Sequence, residues 1–261
     1  MSVFDCFLFC HELELLEVRL RTCYEHVDKF LLIEADHTHI NNPKPLYFEE
    51  NKQRYDFAKD KIIHIKLHGP WIDEKPNREV SDDYRGEYKM RQKLYDEARA
   101  YSEPDDIIML SDLDEFPSLE SIEHLKKSEL KKPLLLKQDL YCYNITFPMY
   151  RKWNGTIAFR SKNKLMDAEK LRNYRTIMDH FDGGWHFSYF MSPEQMIQKL
   201  QSFAHANHYG VGDYVRMDLI RHHMKYKQHL LGKKTGQDIP SQLPEYIIKE
   251  MARFPLFMGE T

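Results

Sequence analysis

Three carboxylates, Asp112, Asp114 and Glu115, fall within four residues directly after the apolar run Ile107-Ile108-Met109-Leu110. Like charges this close repel one another until a cation sits among them. An all-oxygen ligand set favours Mg²⁺ or Mn²⁺ over zinc. Such ions are held by one or two protein carboxylates and fill the rest of their shell with substrate phosphates. Asp112-x-Asp114 therefore suits a nucleotide diphosphate. Asp112, Asp114 and Glu115 are together the candidate ligands of such a site. The plainer reading is a set of solvated loop acids ahead of a helix that starts near Ser118.

The elements around this stretch decide between the two readings. Val3–Phe9, Lys29–Ala35, 61–67 and 106–110 read as strands, with helical stretches at 12–25, 49–59 and 82–101 between them. Strand alternating with helix implies parallel pairing through crossovers. The fourth strand is apolar on both faces, as a central parallel strand is. Sheets of this kind bind ligands at the carboxyl ends of their strands, which is the edge where 112–115 falls. Glu12, just past the first strand, and Glu34, at the end of the second, sit on that edge too. Arg91, on the helix before the fourth strand, is placed to meet ribose or phosphate.

The second half is less regular. Strands are expected at 134–146, 156–160 and 185–190, with a polar connector at 151–155. Ser192-Pro193-Glu194-Gln195 offers an N-cap, a first-turn proline and an acid at the positive helix end; that helix is expected to reach about Ala206. The last 50 or so residues read as helices and loops. With no repeat or linker, the expectation is one domain over 1–261.

The chain has 261 residues, 38 Lys+Arg against 41 Asp+Glu and a net charge of −3. A core of ordinary size is within reach, and the basic excess of a dedicated nucleic-acid binder is missing. No apolar run approaches the roughly 20 residues of a membrane span, and the first residues lack a signal-peptide pattern. A cytoplasmic location is the expectation, or a luminal one for a piece of a longer precursor. Cys6, Cys10, Cys23 and Cys142 have no C-x-x-C spacing and read as free, buried thiols.

Several segments together resemble a known family. Asp5-Cys6-Phe7-Leu8-Phe9 leads into Glu12-Leu13-Glu14-Leu15-Leu16-Glu17-Val18-Arg19-Leu20, followed by Val27-Asp28-Lys29-Phe30 with Glu34 and by Pro43-Lys44-Pro45-Leu46. Pro104-Asp105-Asp106-Ile107 precedes Ser111 to Pro117, and Gly184-Trp185-His186-Phe187-Ser188, Pro193-Glu194 and Lys199-Leu200 follow. In this order they resemble family 17 of the glycosyltransferases, the β-1,4-mannosyl-glycoprotein N-acetylglucosaminyltransferase-like enzymes of N-glycan synthesis. The resemblance implies a GT-A-like, Rossmann-like α/β fold with a mostly parallel central sheet flanked by helices. It implies a UDP-sugar donor, UDP-N-acetylglucosamine in the characterised branch, together with Mn²⁺ or Mg²⁺, a glycan acceptor and inversion at the anomeric carbon. Residues 1–117 would form the nucleotide-sugar-binding half and 118–261 the acceptor side. The 163–181 stretch departs from the family pattern.

The same resemblance suggests roles for single residues: by its D-x-D analogy Asp114 would ligate the metal directly, Asp112 would contact metal or ribose, and Glu115 would support them from behind. His186 would ligate the metal or bond a phosphate, and Trp185 would stack on a sugar or fill the core. Glu194, at a helix start, is the first choice for the base that takes the acceptor proton, with Asp182 and Asp179 as alternatives. His205 is a reserve metal ligand. Two rival classes remain. One is a haloacid-dehalogenase-like phosphatase with Asp112 as nucleophile, disfavoured by the motif's distance from the N-terminus. The other is a non-catalytic glycan-binding protein using its aromatic residues.

Overall fold

The computed structural model describes residues 1–70, 85–163, 167–202, 216–230, 232 and 234–259. One eight-stranded sheet organises them. Its strands are β1 (Val3–Phe9), β2 (Lys29–Ala35), β3 (Ile62–Leu67), β4 (Ile107–Asp112), β5 (Glu115–Phe116), β6 (Leu134–Cys142), β7 (Pro148–Arg160) and β8 (His180–Ser188), in the order β3-β2-β1-β4-β7-β6-β8-β5. The β3-β2-β1-β4 half is wholly parallel, β6 and β8 are parallel, and β7 runs antiparallel to both of its neighbours. The α/β class and the mostly parallel sheet flanked by helices are as the sequence leads one to expect.

Alternation along the parallel strands sorts side chains between two layers. Val3, Phe7 and Phe9 of β1 and Ile107 and Met109 of β4 pack with Leu16, Leu20 and Cys23 of α1 (Leu13–Cys23). Phe4 and Cys6 of β1 and Ile108 of β4 pack instead with Met90, Leu94, Tyr95 and Ala98 of α3 (Arg85–Tyr101). The same alternation turns Ser111 towards α1 and Asp112 towards α3. Between β2 and β3 the expected helix is split into α2 (Tyr47–Asn51) and a 3₁₀ segment over Lys52–Ala58, with Tyr55 outside helical geometry.

Only Leu113 and Asp114 separate β4, in the middle of the sheet, from β5 at its far end, so the sheet must curl to bring β5 against β8. There Glu115 faces His186 and Phe116 faces Trp185. Gly184 makes this approach possible: its φ is +111°, and a Cβ would stand 2.0 Å from the Phe116 carbonyl oxygen.

The remaining helices are α4 (Leu119–Lys127), α5 (Ala168–Asn173), α6 (Pro193–Leu200), α7 (Met217–Lys225), α8 (Glu245–Met251) and α9 (Pro255–Met258). Ser118 caps α4 through the Ser121 N–H, and Ser192 and Gln195 form a reciprocal capping box at α6. No helix of the described residues is long and apolar enough to cross a membrane. All four cysteines are free, and Cys6, Cys23 and Cys142 are buried.

Three sequence expectations need correction. The polar stretch 151–155 is no connector: it lies within β7, where Asn154, Trp153 and Lys152 pair with Lys137, Gln138 and Asp139 of β6. Exposure of β7's outer part, as at Tyr150 and Arg151, removes the apolar signal a strand otherwise carries. The strand expected at 134–146 ends at Cys142. The one expected at 185–190 begins at His180, because β6 offers pairing partners from Leu135 onward, and it stops before Tyr189, whose φ is +57°. Residues 82–84 and 203–206, His205 among them, lie outside the described residues.

Candidate active site

The acidic stretch emerges on the carboxyl edge of β4, beside β1. Each of its three carboxylates has a separate set of partners. Asp112 points to the α3 layer, where its Oδ1 lies 2.7 Å from Arg91 Nη1 and its Oδ2 accepts from Arg172 Nη2 at 3.0 Å. Burial alone would raise the pKa of this carboxyl. Arg172 and Arg91 outweigh it and hold the group well below the usual carboxylate range. Arg91 is itself steadied by Glu87 one turn away, at 2.9 Å.

Asp114 faces the other way. Its Oδ2 accepts from Lys199 Nζ of α6 at 3.0 Å, and its Oδ1 lies 3.4 Å from His186 Nδ1 of β8. Lys199 also stands 3.2 Å from Glu12 Oε1, so one ammonium bridges two carboxylates. Burial would lower the Lys199 pKa, but Asp114 and Glu12 raise it. Glu12 accepts a further bond from the His11 N–H at 3.0 Å. Its pKa is pulled down to about 2: burial would raise it, and Lys199 and His11 more than reverse that.

Glu115, fully buried, points into the curl of the sheet. It accepts from the Asp112 N–H at 2.9 Å and from Trp153 Nε1 at 2.8 Å, with Arg175 Nη1 4.0 Å away. The Trp153 ring stacks on His186 at 4.6 Å between centroids, with an interplanar angle of 11°. His186 is enclosed, and burial lowers its pKa in spite of Asp114, so the imidazole is neutral at pH 7. Its Nδ1 is buried and makes no hydrogen bond among the described residues.

Of the residues singled out from sequence, the structure brings Asp112, Asp114, Arg91, Glu12 and His186 to one edge. Glu34 is the penultimate residue of β2, and its carboxylate is occupied at the start of α2. It accepts from the Phe48 and Glu49 N–H groups at 2.8 and 3.3 Å and faces His64 Nε2 at 3.3 Å. Trp185 is buried in one cluster with Phe116, Phe187 and Ile247, its ring lying 6.4 Å from that of Phe187 at 19° and edge-on to Tyr246 at 6.2 Å. Glu194 is 62% exposed and 3.6 Å from Arg221. It stands roughly 140° round the axis of α6 from Lys199, on a different face of the helix. Asp182 is also 62% exposed, 3.7 Å from Lys152 Nζ, at the start of β8. Asp179 precedes β8 and lends its carbonyl to the Leu135 N–H at 2.9 Å. Neither meets the 112–115 cluster.

Sequence reasoning did not assign Arg172, Arg175, Trp153 or Lys199. The first two belong to the stretch that departs from the family pattern, and Trp153 was hidden in the supposed connector. Lys199 carries two signals: it belongs to the Lys199-Leu200 pair of the family resemblance, and it lies on the helix whose first turn the resemblance ties to the site.

A sequence comparison matches the family Glycosyltransferase family 17 over residues 1–256. The β-1,4-mannosyl-glycoprotein 4-β-N-acetylglucosaminyltransferases of Homo sapiens and Rattus norvegicus are each 23% identical over 233 residues, covering 78% of this chain and 43% of theirs. The chain thus spans less than half the length of those relatives. Among solved structures, HddC from Yersinia pseudotuberculosis overlays with a TM-score of 0.40 and 10% identity, over 72% of this chain and 89% of that one. With the match running over nearly all of its length, the chain belongs to glycosyltransferase family 17.

Proposed function

We propose that the chain transfers a sugar, N-acetylglucosamine from UDP-N-acetylglucosamine, onto a hydroxyl of a glycan acceptor, with inversion and with a divalent cation. The observation that carries this reading is the placement of Asp112 and Asp114, in a family 17 chain, on the carboxyl edge of β4 next to β1. That is where open α/β sheets take their ligands. The choice of sugar and acceptor follows the names of the mammalian relatives. In this scheme residues 1–117 build most of the donor side and 118–261 the acceptor side, with His186 and Lys199 reaching back across.

Among the described residues no group of three or more His, Cys, Asp or Glu side chains is arranged to hold a metal. Asp114 with the hydrogen-bond-free Nδ1 of neutral His186 makes a two-ligand seat. That fits Mg²⁺ or Mn²⁺, whose shell the donor's phosphates complete. Bound there, the cation would supply charge stabilisation to the departing diphosphate. The protein's own cations contribute in the same way. Lys199 beside Asp114, and Arg91 and Arg172 around Asp112, place positive charge where the leaving group develops its negative charge.

A base must take the acceptor proton. Glu194 is the first candidate, exposed at the start of α6. Its pKa is lowered by backbone N–H bonding and the Ser192 hydroxyl, so it is ionised at neutral pH. Asp182 and Asp179 follow it. The phosphatase alternative needs a free Asp112 nucleophile, whereas both oxygens of Asp112 are engaged by arginines.

Isothermal titration of UDP, with and without Mn²⁺, tests the reading on wild type and Asp114→Ala. The expectation is Mn²⁺-dependent binding that weakens by about tenfold or more in the variant. A wild type that takes up no UDP with or without Mn²⁺ overturns it.

A further inference from the structure

The Asp112–Asp114 turn is held from beneath by a fully buried side chain that reaches its backbone and neither of its two aspartate carboxylates. Arg19 lies on α1 facing β1 and β4, and its side chain and that of Asp5 are both 0% exposed. A guanidinium has five N–H donors in a fixed fork, and five bonds leave this one. Nε donates to Asp5 Oδ2 at 2.9 Å, and Nη2 to Asp5 Oδ1 at 2.6 Å and to Ser111 Oγ at 2.7 Å. Nη1 donates to the carbonyl oxygens of Asp112 and Leu113, both at 2.8 Å. The Phe7 and Phe116 rings flank the group, 4.5 and 5.5 Å from its central carbon.

Neutralising Asp5 uses only two of those bonds. The other three are spent on the end of β4 and on the two peptide groups on either side of Leu113. Each peptide is planar, so fixing both carbonyls fixes the planes that flank Leu113 and with them the directions in which Asp112 and Asp114 leave the backbone. The two carboxylates need that control, since one must turn to Arg91 and the other to Lys199 and His186. A lysine would keep the charge beside Asp5 but has no planar fork to span the remaining acceptors.

We infer that Arg19 is the positioning residue of this site, setting the geometry of Asp112 and Asp114 through their backbone without touching substrate. The inference rests on the donor-site reading of Asp112 and Asp114.

The test compares wild type, Arg19→Lys and Leu125→Ala, the last a core truncation in α4 that lowers stability without removing a hydrogen bond to the turn. Hydrogen exchange of the 112–115 amides is followed without ligand, and UDP affinity is followed with Mn²⁺. Arg19→Lys should speed exchange at 112–115 beyond any change in β2 and β3, and weaken UDP binding by about 10- to 100-fold. Leu125→Ala should do neither. Should Arg19→Lys fail to fold, Ser111→Ala, which removes one bond and keeps the ion pair, should give a smaller change in the same direction. Wild-type exchange and affinity in Arg19→Lys, or in Ser111→Ala where that variant stands in, overturn the inference, as does an equal loss of affinity in Leu125→Ala. A wild type that binds no UDP overturns instead the donor reading beneath it.

Discussion

Lys199 Nζ stands 3.0 Å from Asp114 Oδ2 and thereby ties α6 to the acidic turn after β4. Because the same ammonium lies 3.2 Å from Glu12, removing it leaves two buried carboxylates facing each other. Lys199→Met is expected to cost roughly 3 kcal/mol, in the range for breaking a buried pair from one side. If a divalent cation is seated by Asp114, millimolar Mn²⁺ should restore more stability to Lys199→Met than it adds to wild type. Urea unfolding with and without Mn²⁺ measures both quantities. Equal Mn²⁺ effects on the two proteins would speak against a cation site at Asp114.

Glu12 makes the stability of this edge acid-sensitive. Its pKa is about 2 in the folded chain against an ordinary 4.5, because Lys199 and His11 more than offset the burial that would raise it. With the folded value lowered, the unfolded chain binds the extra proton. The stabilisation is therefore full above pH 4.5 and is lost as pH falls from there towards 2. Its size is roughly 3 kcal/mol at neutral pH. Glu12→Gln should be less stable than wild type at pH 7 and should flatten the acid limb of stability against pH. Superimposable pH profiles for the two proteins would exclude this role.

The parallel half of the sheet was legible because β1, β2 and β4 are buried on both faces and so are apolar on both faces. From there the alternation that sends Ile107 and Ile108 to opposite layers also sends Ser111 to Arg19 and Asp112 to Arg91. Legibility ended where a partner comes from far along the chain. Arg172 meets Asp112 across 60 positions, and Lys199 meets Asp114 across 85. No local pattern encodes either pairing. β7 failed for another reason: a half-exposed strand paired through its backbone needs no apolar period. Arg19 and Asp5 did carry a signal. Each is a charge set among apolar neighbours on its own element, and buried charges come in pairs.

Trp153 and Glu115 give a test of the curl in the sheet. The indole N–H donates to Glu115 Oε1 at 2.8 Å while the ring covers His186. Trp153→Phe keeps an aromatic ring over the imidazole and removes the donor, leaving a fully buried carboxylate oxygen short of a bond. A loss of about 1–3 kcal/mol is expected in thermal or urea unfolding. A loss of only a few tenths would show that Arg175 moves in to replace the bond.

Two glycines beside β5 separate backbone from side-chain crowding. At Gly184 a Cβ would stand 2.0 Å from the Phe116 carbonyl oxygen, and φ is +111°, where an L side chain is strained. At Gly155 the Cβ would also come within 2.0 Å of an atom, but that atom is Gln138 Oε1 and φ is unremarkable. Gln138 can swing aside, at the cost of its bonds from Nε2 to the Phe116 carbonyl at 3.1 Å and to Thr156 Oγ1 at 3.2 Å. The Phe116 carbonyl cannot move without parting β5 from β8. Gly155→Ala should therefore cost about 1–3 kcal/mol and leave the sheet closed. Gly184→Ala combines backbone strain of about 1–3 kcal/mol with the loss of the Glu115–His186 and Phe116–Trp185 pairing, and should cost more. It should also carry Glu115 away from Trp153, so tryptophan fluorescence should change in Gly184→Ala and hold in Gly155→Ala. The reverse order of stabilities would mean that β5 yields more easily than Gln138 does.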